Sequence, residues 1–364
     1  MAPADPNRVR DQRIEQVVPL TTPALLHHEL PLDPSLAEAV VESRRAVARI
    51  IDRVDDRLLA VVGPCSVHDP TAALEYAQRL AKVAQRLSDD LFVVMRVYFE
   101  KPRSTVGWKG LINDPHLDGS GDVNSGLRIA RTLLLDVLRT GLPVGCEFLD
   151  PIMPQYIADT VSWGSIGART VESQVHRQLA SGLSMPVGMK NRPDGCIATA
   201  VDAIRAASVP HVFPGIDITG TPAILRTRGN SDCHLVLRGG QDGPNYHAEA
   251  VADALALLRN AGLPERVVID ASHGNSRKDH RRQPLVVEDI AQQLASGSRG
   301  IVGVMMESFL VPGRQDLDPT RELVYGQSIT DACIGWEETE RLLERLAKAV
   351  AARRTTVTSQ YVTS

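Results

Sequence analysis

Cysteine is sparse in this chain and never paired at CxxC spacing. The five residues, Cys65, Cys146, Cys196, Cys233 and Cys333, are odd in number and far apart. That argues against a disulfide framework and for free thiols in a reducing cytoplasm. No apolar run approaches the roughly 20 residues that span a bilayer. The opening MAPADPNRVRDQRIEQ is polar and lacks the apolar stretch of a signal peptide. Neither sign of charge dominates, with 40 Lys and Arg against 44 Asp and Glu for a net of −4. Nothing in that balance suggests nucleic acid as a partner, so basic residues matter only where they converge. Internal repeats and low-complexity tracts are missing, as is a glycine-rich phosphate turn after the first strand. The missing turn counts against a doubly wound dinucleotide fold, and no organic cofactor is expected.

What is present is ample apolar material, 43% of 364 residues, arranged as short β-branched runs alternating with amphipathic helices. Eight runs read as strands: 58–65, 92–99, 143–149, 165–170, 186–191, 234–240, 266–272 and 300–308. They are nearly continuous in hydrophobicity, as parallel strands covered on both faces must be. Helices are predicted at 35–53, from Pro70 with Leu74, Ala77, Leu80, Ala84 and Leu87 on one face, up to Gly141, up to Gly262, and over 330–353. Eight βα units over this length predict an α/β fold, a closed (β/α)8 TIM barrel spanning 58–354. Residues 1–57 form an N-terminal extension with an oligomeric or regulatory role. Residues 209–233 form a β-hairpin inserted between the fifth and sixth barrel strands, and 355–364 a disordered tail.

Active sites of such barrels lie at the C-terminal ends of the strands. Apolar runs alone define the strands, so their polar endings are an independent test. The first ends in Cys65. The second contains Arg96 and runs on to Lys101, Arg103 and Lys109. The others end in Glu147, Arg169, Lys190, Arg238, Asp270 with His273, and Glu307, while Asp331 opens the last helix. Arg96, Lys101, Arg103, Arg169, Lys190 and Arg238 make six cations on one rim, enough for two phosphates or one phosphate and a carboxylate. Cys65, His273, Glu307 and Asp331 supply a thiol, an imidazole and two carboxylates, a donor set suited to Mn, Fe, Co or Zn acting as a Lewis acid. Taken singly, each has a plainer reading: a strand-end cysteine is more often a packed hydrophobe, and His273 or Glu307 a surface residue. Convergence is what lifts the set. Cys146, Cys196, Cys233 and Cys333 read as core or incidental, and His68 as loop packing.

Eight stretches together resemble type I 3-deoxy-D-arabino-heptulosonate 7-phosphate (DAHP) synthase, in its longer, microbial, feedback-regulated branch. They are GPCSVHDP, MRVYFEKPRSTVGWKGLINDPHLD, GCEFLDPIMPQY, GSIGARTVESQVHRQLASGLSMPVGMKN, LRGG, VIDASHGNS, GVMMESFLVPGRQ and YGQSITDACIGWEET. The resemblance implies a metal-dependent, aldol-like condensation of phosphoenolpyruvate with D-erythrose 4-phosphate to DAHP and phosphate, the first step of the shikimate pathway to aromatic amino acids. It implies Cys65, His273, Glu307 and Asp331 as metal ligands. Phosphoenolpyruvate would be held by Arg96, Lys101, Arg169 with the Gly167–Ala168 backbone, Lys190 and Arg238. Glu147 would reach substrate through water, and Arg103 and Ser104 would take the phosphate of erythrose 4-phosphate. At the position of Ser104 the family more often has threonine, which keeps the hydroxyl. Lys101, between the two anions, is the candidate general acid for the aldehyde oxygen.

The same branch implies an aromatic amino-acid effector pocket at a subunit interface, matched here by Gln155, Leu179, Leu183, Ser184 and Phe213. Pro151 and Gly215 stand where one familiar version has methionine and serine, and tyrosine leads the expectation ahead of tryptophan and phenylalanine. A homodimer or homotetramer is expected, in the cytoplasm, with no membrane or nucleic-acid partner. Two rivals stay open. One is a Schiff-base aldolase using Lys190 or Lys101. The other is a non-catalytic barrel that senses sugar phosphates or aromatic amino acids.

Overall fold

A computed structural model describes residues 9–103, 105–318 and 320–362, with backbone alone from 357. In chain order the elements are α1 (Pro23–Glu29), α2 (Pro34–Ile51), β1 (Leu58–Gly63), α3 (Pro70–Arg86), β2 (Leu91–Arg96), α4 (Val123–Arg139), β3 (Val144–Glu147), α5 (Pro154–Ile157) and β4 (Trp163–Ile166). There follow α6 (Gln174–Ala180), β5 (Val187–Lys190), α7 (Ala198–Ala207), β6 (Val212–Ile216), β7 (Pro222–Arg226), β8 (His234–Leu237), α8 (Ala248–Asn260), β9 (Val267–Asp270), α9 (Gln283–Ala295), β10 (Ile301–Glu307) and α10 (Trp336–Val362). Eight strands close into one parallel barrel in the order β1-β10-β9-β8-β5-β4-β3-β2, and β6 and β7 pair antiparallel outside it. The predicted (β/α)8 barrel with a hairpin after its fifth strand is what the chain adopts.

Alternation along the strands divides the apolar residues between two compartments. On β1, Leu59 and Val61 point into the barrel with Val94, Trp163, Val236 and Val268, while Leu58, Ala60 and Val62 face the helical layer. From the extension, Val47, Ile50 and Ile51 of α2 belong to the inner cluster, so α2 lies across the N-terminal mouth and seals it. Arg44 fastens that plug through hydrogen bonds from its guanidinium to the carbonyls of Val161 (2.9 Å) and Ala158 (2.6 Å). Helix starts follow local chemistry: the Asp69 carboxylate accepts from the backbone N–H of Thr71 and Ala72, with Pro70 at the first helical position.

Three boundaries differ from the sequence reading. β4 begins at Trp163 and ends at Ile166, so Arg169 lies on the loop beyond it. α10 begins at Trp336, which leaves Asp331 in the irregular segment before the helix. The helix then runs on to Val362, through most of the stretch read as a disordered tail. Extending an existing helix costs far less than nucleating one, and this one is anchored at the point where disorder was expected. Arg354 forks onto Asp56 at 2.8 Å, and the Thr356 hydroxyl bonds the Ala295 carbonyl of α9 (3.2 Å).

Inside the barrel, the Trp163 indole N–H donates to His234 Nε2 (3.1 Å), and His234 Nδ1 faces the Asp232 carbonyl (3.0 Å). Burial pushes the His234 imidazole down to about 3. Unfolded, it titrates near 6.5. Between those values the unfolded chain binds a proton the folded chain refuses, so stability falls as pH drops below 6.5, by up to about 1.4 kcal/mol per pH unit from this group. His234→Gln keeps an acceptor for Trp163 but does not titrate. The stability gap between wild type and variant in urea titrations is therefore expected to narrow from pH 6.5 to pH 4, and a gap independent of pH contradicts this reading.

Candidate active site

β1 ends on Gly63, and Pro64 and Cys65 turn over the barrel mouth. Cys65 is buried, and its thiol is 3.1 Å from Lys101 Nζ and 3.8 Å from Asp331 Oδ2. One donor atom each from Cys65, Glu307 and Asp331 lies within 4.8 Å of the others. Glu307 is the last residue of β10, and its Oε1 is 3.6 Å from His273 Nε2. Of the four residues named as metal ligands from the sequence, Cys65, Glu307 and Asp331 come together, while His273 stands beside Glu307 without joining the other two. His273 reaches Glu307 because its own backbone is left-handed (φ 53°), which turns its ring back over the end of β9. There its Nδ1 meets Asp270 Oδ2 (3.0 Å) and the Ser272 hydroxyl (2.7 Å). Those two contacts hold the ring with Nε2 toward Glu307.

Cations surround these acids. Arg96, 1% exposed, donates to Glu307 Oε1 (3.0 Å) and to the carbonyls of Pro64 (3.0 Å) and Cys65 (3.1 Å), and its guanidinium lies 3.6 Å over the Tyr98 ring. Lys190, the last residue of β5, pairs with Asp270 at 2.9 Å. Arg238 follows β8. Its backbone N–H is held by Asn191 Oδ1 (2.8 Å), and Gly239 (φ 71°) turns the chain away in a conformation where a side chain would strike Asn275. Arg169 lies exposed on the rim, close enough that its charge acts on both Arg238 and Asp331. Glu147 ends β3 with its carboxylate against Gly167, where any Cβ would collide with it; Ala168 follows at the rim. Arg103 lies on the exposed loop after β2, and its Nε bonds the Trp108 carbonyl (2.7 Å). Ser104 lies outside the described residues.

The electrostatics carry the mark of charges packed close. Burial, then the neighbouring Glu307 carboxylate, pushes the Cys65 thiol up, against the pull of Lys101. Burial also opposes the Lys101 ammonium, yet Cys65 and Glu307 hold its pKa above the usual lysine range. For Asp331, burial would raise the carboxyl, but Lys101 and His273 hold it below its ordinary value. Burial likewise works against Asp270, while Lys190 and His273 keep it well below the carboxylate range. A buried thiol and two carboxylates sharing one spot fit a divalent cation, which would take the thiolate and relieve their repulsion. An open position beside them would make that cation a Lewis acid toward a substrate oxygen.

Two residues that the sequence does not single out help to position the site. Cys333, taken as incidental, accepts the Cys65 N–H through its sulfur (3.4 Å) and so helps place the first thiol. Glu100, in the YFEKPR stretch, is buried and pushed up to about 8, by burial first and then by Asp150. It accepts the N–H groups of Leu149 (3.4 Å) and Asp150 (3.2 Å), tying the loop after β2 to the end of β3. An isolated acid amid aromatics was the only available signal. Of the effector residues, Leu179 is in the last turn of α6 with Leu183 and Ser184 just beyond, Phe213 is on β6, and Gln155 is on α5. α1 bridges these parts: Ala24 N–H donates to the Ile218 carbonyl in the hairpin turn (2.8 Å), and His27 Nε2 meets the Tyr156 carbonyl (3.2 Å).

The model of the DAHP synthetase I family matches residues 37–344. The chain is 56% identical over 344 residues to the Phe-sensitive phospho-2-dehydro-3-deoxyheptonate aldolase of Escherichia coli K12, covering 94% of this chain and 98% of that one. It is 52% identical over 347 residues to the Trp-sensitive enzyme of the same organism, covering 95% and 99%. A solved structure of the phospho-2-dehydro-3-deoxyheptonate aldolase of Francisella tularensis SCHU S4 superposes with a TM-score of 0.92 at 50% identity, over 93% of this chain and 99% of that one.

The Lys190–Asp270 pair is buried on both sides. Lys190→Met leaves the Asp270 carboxylate without its ammonium and is expected to cost about 3–5 kcal/mol of unfolding free energy, read from urea titrations at pH 7. A loss below about 1 kcal/mol would mean that His273 and Ser272 balance Asp270 alone.

Proposed function

The chain belongs to the DAHP synthetase I family, and from that membership we propose that it condenses phosphoenolpyruvate with D-erythrose 4-phosphate and water to give DAHP and inorganic phosphate. The observation that carries this reading is the gathering of a thiol and two carboxylates, with the His273 imidazole against one of them, beside buried guanidinium and ammonium groups over one barrel mouth. A divalent ion of the Mn-to-Zn series, held by Cys65, His273, Glu307 and Asp331, supplies Lewis acidity toward the aldehyde oxygen when bound.

The remaining chemistry falls to the chain's own side chains. Arg96, Arg169, Lys190 and Arg238, with the Gly167–Ala168 backbone, bind the phosphate and carboxylate of phosphoenolpyruvate and so expose its C3 to the aldehyde carbon. Lys101 Nζ gives its proton to the aldehyde oxygen as the C3–C1 bond forms. Positive character then grows at C2, between groups whose negative charge the arginines hold in place. Glu147, pressed against Gly167, holds the water that adds to C2, and the hemiketal phosphate releases phosphate by C–O cleavage. Arg103 and Ser104 take the phosphate of the second substrate.

Regulation by one aromatic amino acid belongs to the same reading, with Gln155, Leu179, Leu183, Ser184 and Phe213 as the contacting set. The relatives named Phe-sensitive and Trp-sensitive support an aromatic effector, and the choice among phenylalanine, tryptophan and tyrosine falls to assay. Assembly as a homodimer or homotetramer is supported by the exposed apolar side chains of Val9, Val17 and Val18 in the arm and Ile224 in the hairpin. Among the described residues no helix is long and apolar enough to cross a membrane.

Phosphate release, measured with both substrates, is expected to stop on chelation and to return with added Mn. Cys65→Ala is expected to lower it by at least a hundredfold with the fold intact by circular dichroism. Turnover that survives chelation but is lost to borohydride in the presence of substrate would transfer the chemistry to a lysine Schiff base. Each aromatic amino acid at millimolar concentration completes the test. One of the three is expected to slow the rate, and an unchanged rate with all three removes the effector site.

A further inference from the structure

The barrel has a second concentration of cations at its opposite end. Where α2 leads into β1 and α10 crosses the foot of β10, a cavity of about 290 Å3 opens against an apolar floor of Ile50, Ile301 and Val302. Its walls carry Arg53, Arg57, Arg299, Arg353 and Arg354 against two acids, Asp55 and Asp56.

Those two acids are largely spoken for. Asp55 takes the Arg57 fork (2.6 Å), and Asp56 takes the Arg354 fork at 2.8 Å; Asp90 nearby takes the remaining Arg354 nitrogen (2.5 Å). Five guanidiniums thus meet three carboxylates. Arg353 is buried, and its one described hydrogen bond goes to the Asp56 backbone carbonyl rather than to a carboxylate. Burial first, and then the charges of Arg354 and Arg299, hold its pKa below the usual arginine value against the pull of Asp56. The Arg53 and Arg299 guanidiniums have no hydrogen bond or ion pair among the described residues. Arg53 acts at a distance on Glu265, but that carboxylate is already gripped by Arg259.

An ordinary solvated face would spread such charges out and leave them in water. Here one guanidinium is buried, and two exposed ones without a carboxylate partner stand on the same concave wall, so an entering anion would meet several forks at once. A carboxylate would balance one excess charge. A phosphorylated group brings more charge and more acceptor oxygens, and its tetrahedral array of oxygens can meet several planar arginine forks at once. We propose that this pocket at the base of the barrel is a binding site for a phosphorylated, multiply charged small anion, distinct from the mouth that carries the Cys65 cluster. An occupant would rest at the feet of β1 and β10, the strands that lead to Cys65 and Glu307 at the other end.

Calorimetric titration of pyrophosphate into the full-length protein tests this. The comparison is between wild type, Arg53→Ala/Arg299→Ala, and a control, Arg205→Ala/Arg228→Ala, whose side chains are exposed elsewhere. Pyrophosphate taken up at the barrel mouth is common to all three and cancels. The base-pocket component is expected to weaken about tenfold or more in the first variant, as loss of charge-assisted contacts implies, and to remain in the control. Arg299→Glu alone gives the same readout should the double variant lose stability. Identical isotherms for wild type and the Arg53/Arg299 variant, or an equal loss in the control, overturn the proposal.

Discussion

A guanidinium kept out of water at the top of the barrel sets the terms for everything around it. Arg96 has almost no exposure, and the cost of removing that charge from solvent is recovered only through contacts of good geometry. It finds them in Glu307, in the carbonyls of Pro64 and Cys65, and in the face of Tyr98. The partners extend into a row of polar contacts: Arg96, Glu307, His273, Asp270, Lys190. This row crosses from β2 to β10, β9 and β5. Four strands are thereby held in one register at the end where chemistry happens, and the side chains stay aimed inward.

The two mouths solve opposite problems with the same strands. At the N-terminal end, inward residues such as Leu59 and Val268 meet Val47, Ile50 and Ile51 of α2, and burial of three aliphatic side chains stabilises by roughly 1.5–3 kcal/mol each. At the C-terminal end the inward positions are charged and contribute little net stability. The apolar plug therefore offsets the strain of concentrating charge above it, which places α2 in the structural logic of the barrel even though it precedes the first strand. This division is the usual one for such barrels, with stability below and chemistry above.

Much of this was legible from sequence because parallel strands buried on both faces read as unbroken apolar runs, and a polar residue ending such a run has few reasons to be there. Cys65, Glu147, Lys190 and Glu307 were found in that way. What stayed hidden depends on backbone turns rather than on residue type. No pattern announces that His273 is left-handed, or that Ser272 and Asp270 steer its ring. Asp331 was assigned to a helix start because capping acids look alike, whereas it belongs to the irregular segment before α10. Cys333 gave no signal, since a backbone N–H reaching a sulfur across more than 260 residues has no local trace. The end of α10 misled for a different reason. Its Thr-rich composition favours coil when taken alone, but Arg354 and Thr356 pin it to the barrel base and α9.

The Cys65 thiol shows how the apolar and charged parts of the design meet. Burial and Glu307 favour the neutral thiol, while Lys101 at 3.1 Å favours the thiolate. Lys101 in turn owes its raised pKa to Cys65 and Glu307 against the effect of burial, so thiol and ammonium hold each other's proton in balance. A cation bound among Cys65, Glu307 and Asp331 would tip that balance, taking the thiolate and lessening the negative charge that retains the lysine proton. Lys101 would then be a stronger acid in the loaded site than in the empty one. Cys65 and Lys101 are coupled because they are neighbours, and their proximity follows from a loop after β2 that Glu100 binds to the end of β3.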